Sequence, residues 1–258
     1  MLAAERFAPL RRTVESKVRR VARNLTIGAV SLALTPLVQA LLLTPVASWI
    51  ARHHAGLLQM TAWPRWLETL TAIVLLDYTL WWWHWANHRI PFFWRFHLVH
   101  HIDRDLDTST ALRFHFGELL LSVPVRAAQM ILLGVDPQML WLWQTILFGS
   151  ILFHHANVRL PLHVERVLVR IIVTPRMHGI HHSDRAEETN SNWSSLLSIW
   201  DVVHRTLCLD VPQERVVIGV PAYDQPADVT IGKMLWLPFR RQRDDWSTSP
   251  RSSRSRSE

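Results

Sequence analysis

Between Arg23 and Arg52 the chain carries no charged side chain. Those 28 residues, which include LTIGAVSLALTPLVQALLLTPVASWI, exceed the length needed to cross a bilayer as a helix, about 20 apolar residues. Hydrocarbon admits a helix there because every backbone N–H and C=O must find its partner within the segment. A cleaved signal peptide would have a shorter apolar stretch ending in small residues, so the segment reads as a retained span, with Pro36 and Pro45 as tolerated kinks.

Three further apolar segments follow: Trp66 to Trp83, interrupted by Asp77; Phe116 to Leu133, interrupted by Arg126; and Pro137 to Phe153, without charge. Each is near the minimum spanning length, which a buried or re-entrant helix can also have. Gly134-Val135-Asp136-Pro137 predicts a tight turn that makes the last two a helical hairpin. Tryptophans 49, 63, 66, 81, 82, 83 and 85 fall at the proposed span ends, where indole prefers the membrane interface. The expected fold is therefore all-α and integral to a membrane, with about four transmembrane helices in two hairpins.

Charge orients this arrangement. Residues 1–24 carry seven Lys/Arg and two acids, residues 240–258 six and three, and the net charge of +7 resides in these two ends. The 88–114 loop adds Arg89, Arg95, Arg104 and Arg113, whereas the opposite side has Arg52 and Arg65. Positive charge on the cytoplasmic side puts both termini and that loop in the cytoplasm. Nucleic acid is not the expected partner, because no basic surface with interleaved aromatics sits on a folded region. The single cysteine, Cys208, excludes a disulfide framework and any iron–sulfur cluster or cysteine-built zinc site held within the chain.

Fifteen histidines carry the chemistry. The second apolar segment ends in His84-Trp-Ala-Asn-His88; His97-Leu-Val-His100-His101 follows, and His178-Gly-Ile-His181-His182 repeats that spacing downstream. Residues three and four apart share a helix face, so each cluster can aim its imidazoles at one place. The first two boxes follow the second span, His154-His155 follow the fourth, and the last box precedes the C-terminal region, so all meet on one side of the membrane. His53 and His54 fall on the other side. Eight or more imidazoles exceed the capacity of one metal, so two are expected; imidazole suits iron, zinc and copper alike. Zincin, dinucleotide, P-loop and serine-hydrolase motifs are absent, as is the Glu-x-x-His of soluble di-iron bundles.

These boxes, with DYTLWWWHWANHR (77–89), WRFHLVHH (94–101), TALRFHFGE (110–118), HANVRLP (155–161), TPRMHGIHHS (174–183) and NSNWSSLLSIWD (190–201), resemble the fatty acid hydroxylase/sterol desaturase superfamily over about Asp77 to Thr206. The resemblance implies a non-haem di-iron enzyme with a cytoplasmic, helical, histidine-rich metal cap, in which His84, His88, His97, His100, His101, His155, His178, His181 and His182 hold two irons. It implies dioxygen as co-substrate, hydroxylation or desaturation of a lipid C–H bond, and a separate ferredoxin or cytochrome-type electron donor. Ether-lipid or sterol-methyl oxidation is the alternative within the superfamily, and a non-catalytic membrane metal-binding protein the alternative outside it. Two positions depart from the common pattern: RFHFGE lacks a proline after its histidine, and NSNWSS has serine where glycine is common.

Other residues keep two readings. Asp77, seven and eleven residues before His84 and His88, either orients a ligand histidine or packs the bundle. His115 is an additional or supporting ligand, or a structural residue beside Arg113 and Glu118. One of His154 and His155 faces the metal. Asn192 and Asp201 match family motif positions, and capping or loop fixing explains them equally. His163 and His204 read as surface or packing residues. The chain thus divides into a basic cytoplasmic tail (1–24), a first span with its external loop (25–65), a hydroxylase-like catalytic domain (66–210), a C-terminal extension (211–239) and a disordered basic tail (240–258).

Overall fold

A computed structural model of the protein describes residues 3–60 and 62–246. The described residues form helices joined by loops and three isolated bridges, with no strand among them. A short α1 (Ala4–Phe7) precedes α2 (Lys17–His53), and α3 (Arg65–Arg89) runs almost directly into α4 (Pro91–His101). The hairpin α5 (Phe116–Leu133) and α6 (Pro137–His155) is followed by the short helices α7 (Leu162–Leu168), α8 (Pro175–His181), α9 (Ala186–Thr189), α10 (Ile199–Val203) and α11 (Ile231–Trp236).

Local chemistry sets the helix ends. Pro91, Pro137 and Pro175 each open a helix, where the missing N–H costs nothing. The Asp136 carboxylate accepts from the Met139 N–H at 2.9 Å and caps α6. Gly134 closes α5 in the left-handed region (φ 74°), so the turn expected at 134–137 forms there. Gly56 (φ 107°) lies against it, and a Cβ on Gly56 would sit 2.1 Å from the Gly134 nitrogen. The two hairpins are thereby clamped at one end, where the Gln59 amide also donates to the Gly134 carbonyl at 2.9 Å and Arg65 pairs with Asp136 at 2.5 Å.

Among the described residues, two helical segments are long and apolar enough to cross a membrane: Lys17–Met60 and Phe116–Leu133. Helices α3 and α6 cover the other two apolar segments, but Arg65, Glu68 and Asp77 in the first, and Gln138, Gln144 and the terminal histidines in the second, dilute their apolar character. Leu37 and Leu41 of α2 point outward, each more than 60% exposed, as do Leu132 of α5 and Trp141 of α6. Contiguous apolar surface of this kind marks a face that something apolar covers. Inside, Leu76, Met130, Met139 and Trp143 form the core toward the glycine clamp, while Ile27, Leu98, Val99 and Met234 form a second one near the other end.

The described residues of both basic ends pack against the rest of the chain. Arg20 and Asn24 at the start of α2 are fully buried. Arg20 bonds Asp103 at 3.2 Å and also pairs with Asp107; Asn24 donates to Asp103 at 3.0 Å, and Arg113 lies 3.6 Å from the same carboxylate. Burial alone would raise the Asp103 pKa, yet the guanidiniums of Arg113, Arg20 and Arg23 hold its carboxyl below the usual range. At the other end, Asp245 accepts from the Trp94 indole at 2.6 Å and Arg243 pairs with Asp228 at 2.8 Å, so residues 240–246 are folded against α4 and the extension. Residues 247–258 lie outside the described residues.

Candidate metal centre

Helices α3 and α6 reach the end opposite the glycine clamp, and α4 and α8 cross over them there. The 84–88 box closes α3, the 97–101 box closes α4, His155 closes α6 and the 178–182 box forms α8. Their imidazoles gather in two groups: His84, His88, His97, His101 and His181, and beside them His100, His155, His178 and His182. Within each group the facing donor atoms lie within 4.8 Å of one another. The groups adjoin, with the His101 and His182 rings stacked at 4.3 Å. Each box with three histidines serves both groups: in 97–101, His97 and His101 face one and His100 the other.

Ring nitrogens are assigned by their partners. The Nδ1–H of His84 donates to the Trp193 carbonyl at 2.7 Å, that of His155 to the Ile151 carbonyl at 2.8 Å and that of His181 to the Ser191 carbonyl at 2.8 Å. A carbonyl only accepts, so in these rings Nδ1 carries the proton and Nε2 presents a lone pair. His97 directs Nδ1 at the Glu118 carboxylate at 2.9 Å in the same sense. The Nε2 atoms of His88 and His181 are buried without a hydrogen-bond partner. In the second group the Nε2 of His155 lies 3.1 Å from the Nε2 atoms of both His100 and His178. Converging lone pairs repel unless a cation lies between them, and neutral imidazole is the form that binds a metal. Burial, reinforced by neighbouring imidazoles, keeps His100, His101, His178 and His182 well below the ordinary imidazole pKa, and burial chiefly brings His181 to about 3. The residues present fit two transition-metal ions with all-nitrogen ligation.

The surrounding shell departs from the sequence expectation at particular residues. Asp77 accepts from the Leu197 N–H at 3.0 Å and the Trp200 indole at 2.7 Å, so it ties α3 to the 197–200 segment and holds no histidine. The histidine-orienting carboxylate is instead Glu118, in the first turn of α5. Its signal in the sequence is that it is the sole acid of a predominantly apolar segment. His115 lies outside both groups: its Nδ1 accepts from the Gly117 N–H at 2.9 Å, capping α5, and its Nε2 faces the Leu235 carbonyl at 3.2 Å. His154 is buried against His178 (4.0 Å between centroids) but belongs to neither group.

Asp201 accepts from the N–H groups of Trp193 and Ser194 at 3.0 and 2.9 Å, which fixes the carbonyl that orients His84. Asn192, in the left-handed region (φ 53°), binds both backbone groups of Cys208 and donates to the Met177 carbonyl, fixing the loop beside α8. His204 stacks on Trp81 at 3.9 Å, His163 is exposed, and His53 and His54 end α2 beside the glycine clamp.

A cavity of about 390 Å³ runs from the histidines into the bundle. His84, His97, His100, His155 and His178 line one end, and Leu32, Leu119, Trp143, Leu147 and Phe148 line much of the remainder. Its size lies within the ordinary range for a small-molecule site.

Glu118→Gln replaces the carboxylate facing His97 with a neutral amide. Metal affinity is expected to fall about 10–100-fold, as supporting carboxylates generally contribute that much. Competition with a calibrated chelator measures it, and an unchanged affinity would show that this contact does not support a metal ligand.

A family profile described as fatty acid hydroxylase matches residues 69–206. An ornithine lipid hydroxylase of Rhizobium tropici is 32% identical over 140 residues, covering 54% of this chain and 41% of that protein. The human alkylglycerol monooxygenase is 26% identical over 160 residues (58% and 32%), and the Danio rerio alkylglycerol monooxygenase 26% over 200 (76% and 41%). The chain thus spans less than half the length of these relatives. No solved structure matches it significantly.

Proposed function

This chain belongs to the fatty acid hydroxylase family, and we propose that it is a membrane-bound di-iron oxygenase that hydroxylates or desaturates a lipid C–H bond. The observation that carries this reading is the pair of adjoining all-histidine groups at the head of an apolar cavity. His84, His88, His97, His101 and His181 would hold one iron and His100, His155, His178 and His182 the other. When bound, the irons would supply dioxygen activation and the oxidation of an unactivated C–H bond.

The chain's own residues supply placement. The apolar cavity takes the hydrocarbon and excludes water from the reacting carbon. The carbonyls of Trp193, Ile151 and Ser191, with the Glu118 carboxylate, keep four imidazoles turned with Nε2 inward. No flavin, haem or iron–sulfur motif occurs in the chain, so a separate protein would deliver the electrons. The excess of Lys and Arg at the histidine end supports an orientation with the histidines and both termini on the cytoplasmic side.

The alkylglycerol monooxygenase relatives favour a second reading, oxidation beside an ether oxygen. Lipids from cells with and without the protein, grown under isotopically labelled dioxygen, distinguish the readings. A hydroxylated lipid carrying one labelled oxygen atom is expected. An unsaturated lipid would indicate desaturation, an aldehyde with loss of ether lipid would indicate the second reading, and an unchanged lipid profile would refute both.

A further inference from the structure

Arg126 lies near the middle of α5, a helix otherwise apolar enough to cross a membrane. A charge at that depth is costly and is retained where it has a partner or a task. Arg126 has no carboxylate partner among the described residues, and no charged neighbour acts on it. It lines the cavity that begins at the histidines, where it is the one Lys or Arg among the lining residues.

Its register is informative. Glu118, Ser122, Arg126 and Gln129 follow one another at spacings of four, four and three, which places them on one face of α5, and all four line the cavity. The other members of this polar stripe are engaged: Glu118 with His97, the Ser122 hydroxyl with the Leu119 carbonyl at 2.7 Å, and the Gln129 amide with Thr79 at 2.6 Å. Arg126 alone of the four has no partner among the described residues; it lies about 12 Å along the helix axis from Glu118, at 1.5 Å per residue. Five N–H donors in a planar fork match a carboxylate or phosphate.

We propose that Arg126 binds the anionic group, carboxylate or phosphate, of the lipid whose hydrocarbon occupies the cavity, and so selects anionic over uncharged amphiphiles. This rests on the lipid-oxidising reading above and adds the charge class of its substrate. Inside a low-dielectric cavity the pairing satisfies both charges, whereas an uncharged lipid leaves the guanidinium unpaired.

The test is equilibrium binding of labelled palmitate, lysophosphatidate and monopalmitoylglycerol to the full chain in phosphatidylcholine nanodiscs. The unsubstituted protein should bind at least one of the two anions at least tenfold more tightly than monopalmitoylglycerol, and which one identifies the group as carboxylate or phosphate. Arg126→Gln should lower that anion's affinity at least tenfold while holding monopalmitoylglycerol within twofold; Arg126→Lys should retain most of the preference. Metal content of each variant, measured on the same preparations, establishes that the fold is intact. No anion preference in the unsubstituted protein, or one that persists in Arg126→Gln, would overturn the proposal. Anion binding that depends on Arg126 without any lipid oxidation would refute the oxygenase reading and leave this one standing. Oxidation of uncharged lipid alone would do the reverse.

Discussion

His181→Ala is expected to abolish activity and to cost the protein metal from the five-histidine group. His181 stands where α8 meets α3 and α4: its ring lies 4.6 Å from that of His84, 4.7 Å from His88 and 4.8 Å from His101. Its Nδ1–H is held by the Ser191 carbonyl and its Nε2 is buried without a partner. Alanine leaves a hole that no neighbouring donor can fill, because the remaining ligands are fixed on packed helices. His178 on α8 and His182 at its C-cap remain in place, so the loss should begin at one metal position. Metal content and lipid oxidation should fall together, while His54→Ala, at the glycine-clamp end, should change neither. Full activity in His181→Ala would refute the assignment of the site.

Asp103→Ala is expected to produce the largest loss of stability. Its carboxylate is fully buried among Arg20, Arg23, Asn24, Thr110 and Arg113, at distances of 3.0 to 3.6 Å. Removing it strands buried guanidiniums, and breaking a buried ion pair from one side costs about 3–5 kcal/mol. The network joins the start of α2 to the loop that follows the second histidine box, so metal retention should weaken along with thermal stability. Heating detergent-solubilised protein and following helicity measures it; a midpoint within the error of the unsubstituted protein would show that the network contributes little. Asp103→Asn, which keeps the shape and one acceptor oxygen, should lose less.

What was legible in the sequence was local. The charge-free run of α2, the Gly134–Pro137 turn and the histidine spacings are written in consecutive residues, and the structure has α2, the turn and the histidines brought together at helix ends. The unread parts depend on partners far apart in the chain. Arg20 and Arg23 look like the charges of a free basic tail until Asp103 and Asp107, more than eighty residues on, are seen to receive Arg20. Asp77 and Glu118 are both acids within apolar segments, and helical spacing alone leaves the role of Asp77 open. Only the packing of α5 on α4 shows that Glu118 meets a histidine while Asp77 meets the loop at Leu197. Asn192 and Asp201 keep two readings in the sequence because they bind mainly backbone groups, which carry no sequence signature, although Asp201 also accepts from the Trp81 indole and the Thr206 hydroxyl. The exposed Leu face of α2 agrees with the span read from its charge-free sequence, whereas the weaker apolar character of α3 and α6 shows that hydropathy by segment overstates their likeness to it.

The central claim is that these nine histidines hold two metal ions, with iron the active one. Elemental analysis of the full chain purified from iron-replete cells, with protein quantified by amino-acid analysis, tests it most directly. The account predicts close to two irons per chain, both lost in parallel with lipid oxidation on chelation. A stoichiometry that stays at one or below in active protein, with all nine histidines present, would contradict it.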